Sequence, residues 1–167
     1  TNGYADIFVR DRQTGATERV SVDSYGNQSN GYSSMPGGCA VSPSISSDGR
    51  YVVFASRASN LVAGDTNGYT EIFVRDRQAG STALVSVDSA GNQANNENGS
   101  PSMSSDGRYV AFTSSASNLV ASDTNGYYDI FIRDRQTGAT ARVSVDSAGN
   151  QGNADSYYTA SISADGR

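Results

Sequence analysis

Apolar residues in this chain come in short runs parted by Gly, Asn, Asp and Ser. Tyr51-Val-Val-Phe-Ala55 and Glu71-Ile-Phe-Val-Arg-Asp76 are apolar on consecutive positions rather than alternate ones. A strand with that pattern is covered on both faces of its sheet. Ser44-Ile45-Ser46 predicts a short first strand and Asp48-Gly49 a tight hairpin turn; Tyr51–Ala55 is the second strand. Ser59 to Gly68 is a longer connection, Glu71–Asp76 a third strand, Gln78-Ala-Gly80 a turn and Thr82–Val87 a fourth strand. Asp88 to Ser100 reads as a polar loop leading onward. Four strands joined as successive hairpins make a meander.

The pattern then returns. Thr-Asn-Gly-Tyr-x-[Asp/Glu]-Ile-Phe-[Val/Ile]-Arg-Asp-Arg-Gln begins at Thr1, Thr66 and Thr124, with Ala5 or its counterpart at x. Val-Ser-Val-Asp-Ser-x-Gly-Asn-Gln begins at Val20, Val85 and Val143, and Ser-[Ser/Ala]-Asp-Gly-Arg ends at Arg50, Arg108 and Arg167. The later copies are 58 residues apart; the first spacing is seven longer, the surplus lying in Tyr32-Ser-Ser-Met-Pro-Gly-Gly-Cys39. Four-stranded antiparallel meanders stacked at a fixed repeat are the blades of a β-propeller. The expectation is an all-β propeller segment, partial or open within this chain. Its parts are a partial blade over 1–43, full blades over 44–100 and 101–159, and the first strand of another over 160–167. Both ends cut through blades, so a longer polypeptide is expected. The alternative is self-association of chains through open blade edges.

Pro43-Ser-Ile-Ser-Ser-Asp-Gly-Arg-Tyr-Val-Val-Phe-Ala-Ser56 and Pro101-Ser-Met-Ser-Ser-Asp-Gly-Arg-Tyr-Val-Ala-Phe-Thr-Ser114, each followed by a strand like Asp-Ile-Phe-Ile, carry a family resemblance. The unit resembles the TolB-like, PD40-type (WD40-like) propeller repeat over essentially the whole chain. Ile45, Met103 and Ile162 stand where many members place Trp. With its longer loops, the chain looks like the extended bacterial subtype found in large secreted proteins. The resemblance implies an extracellular, periplasmic or cell-surface setting, and a propeller often of six blades. It implies no chemistry, because propellers host many functions.

Composition narrows this further. Gly (18) and Tyr (10) are abundant, His, Trp and Lys are absent, and all twelve basic residues are Arg. A net charge of −5 argues against nucleic acid as a partner, which needs a basic face. No apolar run approaches the ~20 residues of a membrane span. Cys39 has no second Cys to pair with. Without His the commonest nucleophile–base triad is excluded. Motif carboxylates recur in every copy, whereas a catalytic site breaks such symmetry; Glu18, Glu97 and Asp155 fall outside the pattern and are scattered. The chain is expected to be no enzyme.

One motif has ligand chemistry. In Asp-Thr-Asn-Gly-Tyr-x-[Asp/Glu], Asp65, Asn67 and Glu71, and likewise Asp123, Asn125 and Asp129, offer oxygens around a Gly turn, as short calcium loops do. Calcium is the only cofactor that this suggests. Turn chemistry explains the same residues: Asp and Asn cap a tight turn through their own backbone, and Asn-Gly supplies positive φ. Tyr4, Tyr69, Tyr127 and Tyr128 precede the third strand, and Tyr25, Tyr32, Tyr157 and Tyr158 lie on the inter-blade loops. Tyr69, Tyr127 and Tyr128 are the candidate ligand surface, for protein or glycan; equally, such rings cover the edge of the next blade. The Arg-Asp-Arg triplets at Arg10, Arg75 and Arg133 read as pairs between blades or as a ring of anion sites. The Asp-Gly turns at Asp48, Asp106 and Asp165 are structural. Asn27-Gln-Ser and Asn98-Gly-Ser match glycosylation acceptors. The reading is a non-enzymatic propeller module, a scaffold or binding surface of a secreted or cell-surface bacterial protein. The alternatives are an accessory propeller of a larger hydrolase or peptidase, and a calcium-stabilised carbohydrate-binding propeller.

Overall fold

The computed structural model describes residues 2–33, 42–156 and 160–166. The 34–41 part of the long insertion, with Cys39, lies outside them, as do Tyr157 and Tyr158. Ten strands are formed: β1 Phe8–Arg10, β2 Thr17–Arg19, β3 Ser44–Ile45, β4 Tyr51–Ser56, β5 Glu71–Asp76, β6 Ser81–Leu84, β7 Asn98–Met103, β8 Tyr109–Ser114, β9 Asp129–Asp134 and β10 Ala139–Arg142. They make one two-stranded sheet, β1-β2, and two four-stranded antiparallel meanders, β3-β4-β5-β6 and β7-β8-β9-β10. The described residues contain no helix, and hence none long and apolar enough to cross a membrane.

The same register recurs in the two four-stranded units, and so does the Asp-Gly turn that opens each hairpin. In β4-β5 the pairing runs from Tyr51↔Asp76 to Ser56↔Glu71, and β8-β9 repeats it from Tyr109↔Asp134 to Ser114↔Asp129. Asp48 takes the Ser46 hydroxyl and the Arg50 amide of its own turn, and Asp106 does the same for Ser104 and Arg108. Gly49 and Gly107 supply the positive φ there, 72° and 73°.

No strand is formed within 160–166, where the sequence predicts the first strand of a further blade. Two other departures from the expected strands have local causes. The last strand of the middle unit ends at Leu84 rather than Val87, since Val85 still bonds Ile72 while Val87 turns away to bridge Gln93. The next unit's first strand begins earlier than expected, at Asn98, where Asn98 and Gly99 lengthen the ladder against Ser114 and Thr113. A bulge separates Gly99 from Ser102, with Ser100 at φ 47° and Pro101 placed where its missing N–H costs no ladder bond. Asn98 is thereby buried, which removes its Asn-Gly-Ser as a glycosylation acceptor in the folded chain.

The consecutive apolar runs do face two ways. Val52, Phe54 and Phe73 pack with Ile7 and Val20, which flank the strands of the first sheet, while Val53, Ala55, Ile72 and Val74 pack with Met103, Val110, Phe112 and Phe131 of the third. Alternate side chains of one strand thus serve two cores, as the period of two requires. Each such buried Val or Phe contributes about 1.5–3 kcal/mol over its exposed state. Phe54 stacks on Phe73 at 6.0 Å, and Phe112 on Phe131 at 5.9 Å. The outer strand of each unit is braced by the loop of the unit before: the Thr140 amide donates to Ser89 Oγ, and its hydroxyl to the Val87 carbonyl. Thr82 meets Ser24 and Val22 identically. An edge that would otherwise offer free backbone groups is covered.

Candidate functional site

The Asp-Thr-Asn-Gly-Tyr connections run from β4 to β5 and from β8 to β9, so their closing carboxylates, Glu71 and Asp129, are the first residues of β5 and β9. Both are fully buried, and Asp65 and Asp123 nearly so. One serine organises each cluster. Ser86 Oγ accepts the Ile72 amide and gives its hydroxyl proton to Glu71; Ser144 does so for Ile130 and Asp129, and Ser21 for Ile7 and Asp6. Asn67 accepts the Tyr69 amide on Oδ1, as the turn reading requires, which directs its Nδ2 to Glu71 and to the Ala94 carbonyl, both at 2.7 Å. Asn125 repeats this with Tyr127, Asp129 and the Gly152 carbonyl. The structure therefore brings each predicted trio together and joins it to the loop that leads to the next unit.

The clusters differ in charge. In the third unit Arg142 Nη1 lies 3.3 Å from Asp123 and 3.5 Å from Asp129, and all three side chains are buried. In the first, Arg19 Nε lies 3.4 Å from Asp6. The middle unit has Leu84 at that position and Glu71 in place of Asp. Its two carboxyls meet neutral donors instead: Gln93 Nε2 reaches Asp65 at 2.7 Å and Asn98 Nδ2 reaches Glu71 at 3.0 Å. Burial pushes the Glu71 carboxyl up to about 7, against the pull of the Ser86 and Asn67 hydrogen bonds, and Asp65 adds to the rise. Asp65 is itself raised by burial, and so is Asp123, with Asp129 beside it adding to that rise and Arg142 opposing it.

For calcium, the donor set bears on fit. The oxygens of Glu71 and Asp129 accept N–H and O–H donors, and Asn67 and Asn125 turn nitrogen, not oxygen, toward them. A cation would have to displace those donors. The buried Asn98 Oδ1 alone lacks a partner among these amides. Among the described residues no three His, Cys, Asp or Glu side chains gather at ligating range.

Around the clusters stand the tyrosines. Tyr4, Tyr69 and Tyr127 occupy one position of the repeat and are 42%, 36% and 41% exposed. Tyr4 makes an edge-to-face contact with Tyr32 at 4.9 Å. Tyr128 is half-buried, and its backbone bonds Asp155 and Ser156. Glu97 and Asp155 are not scattered after all. Glu97 takes the Thr70 amide as Asp155 takes that of Tyr128, one such acceptor for each of the two four-stranded units.

The Arg-Asp-Arg triplets divide their work. The central Asp pairs within its own sheet: Arg50 holds Asp76 by two bonds of 3.0 and 2.7 Å, and Arg108 holds Asp134 identically. Those bonds hold Asp76 down to about 2 and Asp134 lower still. The first Arg reaches the preceding unit: Arg75 to the Asp23 carbonyl at 3.0 Å and Arg133 to that of Asp88 at 2.8 Å.

Sequence reasoning missed Arg19, Leu84 and Arg142, the serines, and the glutamines of the Gly-Asn-Gln loops. The signal was present, because Arg-Val-Ser-Val becomes Leu-Val-Ser-Val in the copy where Asp becomes Glu.

No family model matches the chain, and no curated protein does. Solved structures do. The crystal structure of TolB from Acinetobacter baumannii matches with a TM-score of 0.52 at 20% identity, over 96% of this chain and 30% of that one. The fold is that of a TolB-like β-propeller. A putative TolB from Agrobacterium tumefaciens matches with a TM-score of 0.51 at 17% identity, over 96% of this chain and 47% of that one. The tricorn protease matches at 0.46, 16% identity, over 77% of this chain and 11% of its own. The chain thus spans 30% and 47% of the two TolB chains, and at these identities the likeness concerns the propeller fold alone.

Proposed function

We propose that the chain is a non-catalytic propeller module that serves as a scaffold and presents a binding surface, within a secreted or cell-surface bacterial protein. The surface is the row of Tyr4, Tyr69 and Tyr127, with Tyr128 beside it, and the partner is protein or glycan. One observation carries this reading: in each copy the side chain of the motif's carboxylate is buried and bonded, while the tyrosine two residues before it is left 36–42% exposed. Residues consumed by packing hold blades together, and rings left outside at a fixed repeat offer apolar faces with a polar tip.

The test is a glycan array and a displayed peptide library, screened with the wild-type chain and with a Tyr69→Ser, Tyr127→Ser variant. Hits that the variant loses support the proposal; no hits, or hits that survive, overturn it. A melting temperature that rises with calcium and falls with chelator would make ligands of the buried carboxylates.

A further inference from the structure

The second Arg of the triplet is differently placed in two consecutive units. Arg77 gives one N–H to the Gly49 carbonyl at 2.5 Å, and its Nε pairs with Glu18 of the preceding unit at 2.9 Å. Arg135 repeats the first contact, to the Gly107 carbonyl. The counterpart of Glu18, however, is Ala83. Glu18 faces Val9 across its sheet and Ala83 faces Val74, so the two hold the same register position. Among the described residues Arg135 has no ion pair, whereas its neighbours Arg50 and Arg108 are neutralised by Asp76 and Asp134.

The Arg135 guanidinium lies 4.4 Å from the centre of the Tyr51 ring, which carries Arg50 at 4.8 Å as well. It borders a cleft of about 280 Å³ lined by Tyr51, Asp106, Gly107, Arg108, Arg135 and Gln136. The cleft belongs to the end of the sheets that carries the tight turns, whereas the tyrosine row sits on the β4–β5 and β8–β9 connections, so the two surfaces stand or fall separately. Burial disfavours the Arg135 charge most, Tyr51 and the Asp76 carboxylate that Arg50 already holds offset part of this, and Arg50 itself adds to it. A half-buried cation with no ion pair of its own among the described residues thus sits where a further anion would relieve it.

We propose that this cleft is a binding site for a single carboxylate, the side chain of a glutamate or aspartate on a partner polypeptide, seated against Arg135 as Glu18 is seated against Arg77. The chemistry favours a monoanion. Asp106 lines the same cleft, its carboxylate held by Ser104 and Arg108, and it repels a phosphate or sulfate more than a lone carboxylate. Guanidinium takes a carboxylate through paired N–H donors, and the Tyr51 ring fixes the plane in which it does so.

The test follows the Arg Nε–H signals of the isotope-labelled chain during titration with N-acetyl-glutamate N-methylamide, and with its glutamine counterpart. The glutamate compound should shift the Arg135 signal saturably, the glutamine compound should not, and Arg77 should stay still. Ala83→Glu places the missing carboxylate on an exposed strand position. It should move the Arg135 signal in advance and weaken the response roughly tenfold or more. No shift in the wild type, an equal response in Ala83→Glu, or an equal response at Arg77 would overturn the site.

Discussion

The middle and third units solve one problem in two ways. Each buries a pair of carboxyl groups where a connection enters the third strand of its sheet, and each ties the deeper one to a serine hydroxyl and an asparagine amide. The third unit adds a buried arginine between the two acids. The middle unit, with Leu84 there, adds only Gln93 and Asn98 and leaves Glu71 poised to hold a proton near neutrality. A repeat can keep its hydrogen-bond geometry while changing its charge, and the exchange took two coordinated changes, Asp to Glu and Arg to Leu. Burying a charge is tolerated only with a partner; otherwise the group gives up its charge.

The largest effect should come from breaking the third unit. Arg142→Leu leaves Asp123 and Asp129 buried without a cation, and should cost about 3–5 kcal/mol at pH 7 by denaturant unfolding. That loss should shrink in acid, as the Asp123 carboxyl, already raised by burial, takes up a proton. A smaller effect belongs to the middle unit as it stands. Glu71 binds its proton more tightly folded, with a pKa of about 7, than unfolded, at 4.5. The contribution of Glu71 to stability should therefore be greatest below 4.5, fall by roughly 3 kcal/mol as the pH rises through 7, and then level. Asp76 acts in the opposite sense: held at about 2, its contribution is present above the ordinary 3.8 and is lost as the pH falls toward 2. Converting the middle cluster to the third's chemistry, Glu71→Asp with Leu84→Arg, should flatten the fall between 4.5 and 7; a fall that persists would place its origin elsewhere.

The smallest effect separates the hairpin turns of the same two units. Gly49 and Gly107 share their backbone conformation, but a Cβ on Gly49 would meet Arg77 Nη1 at 3.6 Å, while one on Gly107 would lie 2.4 Å from the Tyr51 ring. Gly49→Ala should cost about 1–2 kcal/mol for the positive φ alone. Gly107→Ala should cost more, by about 1 kcal/mol or above, for crowding the ring. Equal losses in thermal melts would mean that the ring simply steps aside.

The blade was legible because its signals are local. Consecutive apolar runs marked the central strands as covered on both faces, and Asp-Gly turns marked the hairpins. The early start of β7 was not legible, because Asn98 and Gly99 join the ladder only through a bulge that Ser100 and Pro101 create at a distance from any apolar pattern. The candidate trios were found as residues but not as chemistry. Asp65, Asn67 and Glu71 are close in sequence, whereas what fixes their state arrives from elsewhere: Leu84 from the fourth strand, Ser86 and Gln93 from the loop beyond it, and Asn98 from the first strand of the next unit. Charge compensation across a sheet has no signature within one motif. It shows only when copies are set side by side, at the single position where Arg19 and Arg142 face Leu84.

The most direct measurement is a pH titration of the Glu71 side-chain carboxyl carbon by NMR in the intact chain. The account predicts a midpoint near 7, well above that of exposed glutamates, with Glu71 neutral through mildly acidic conditions. A midpoint near 4.5 would show that the middle cluster compensates its charge as well as the third does, and would remove the contrast between the two units.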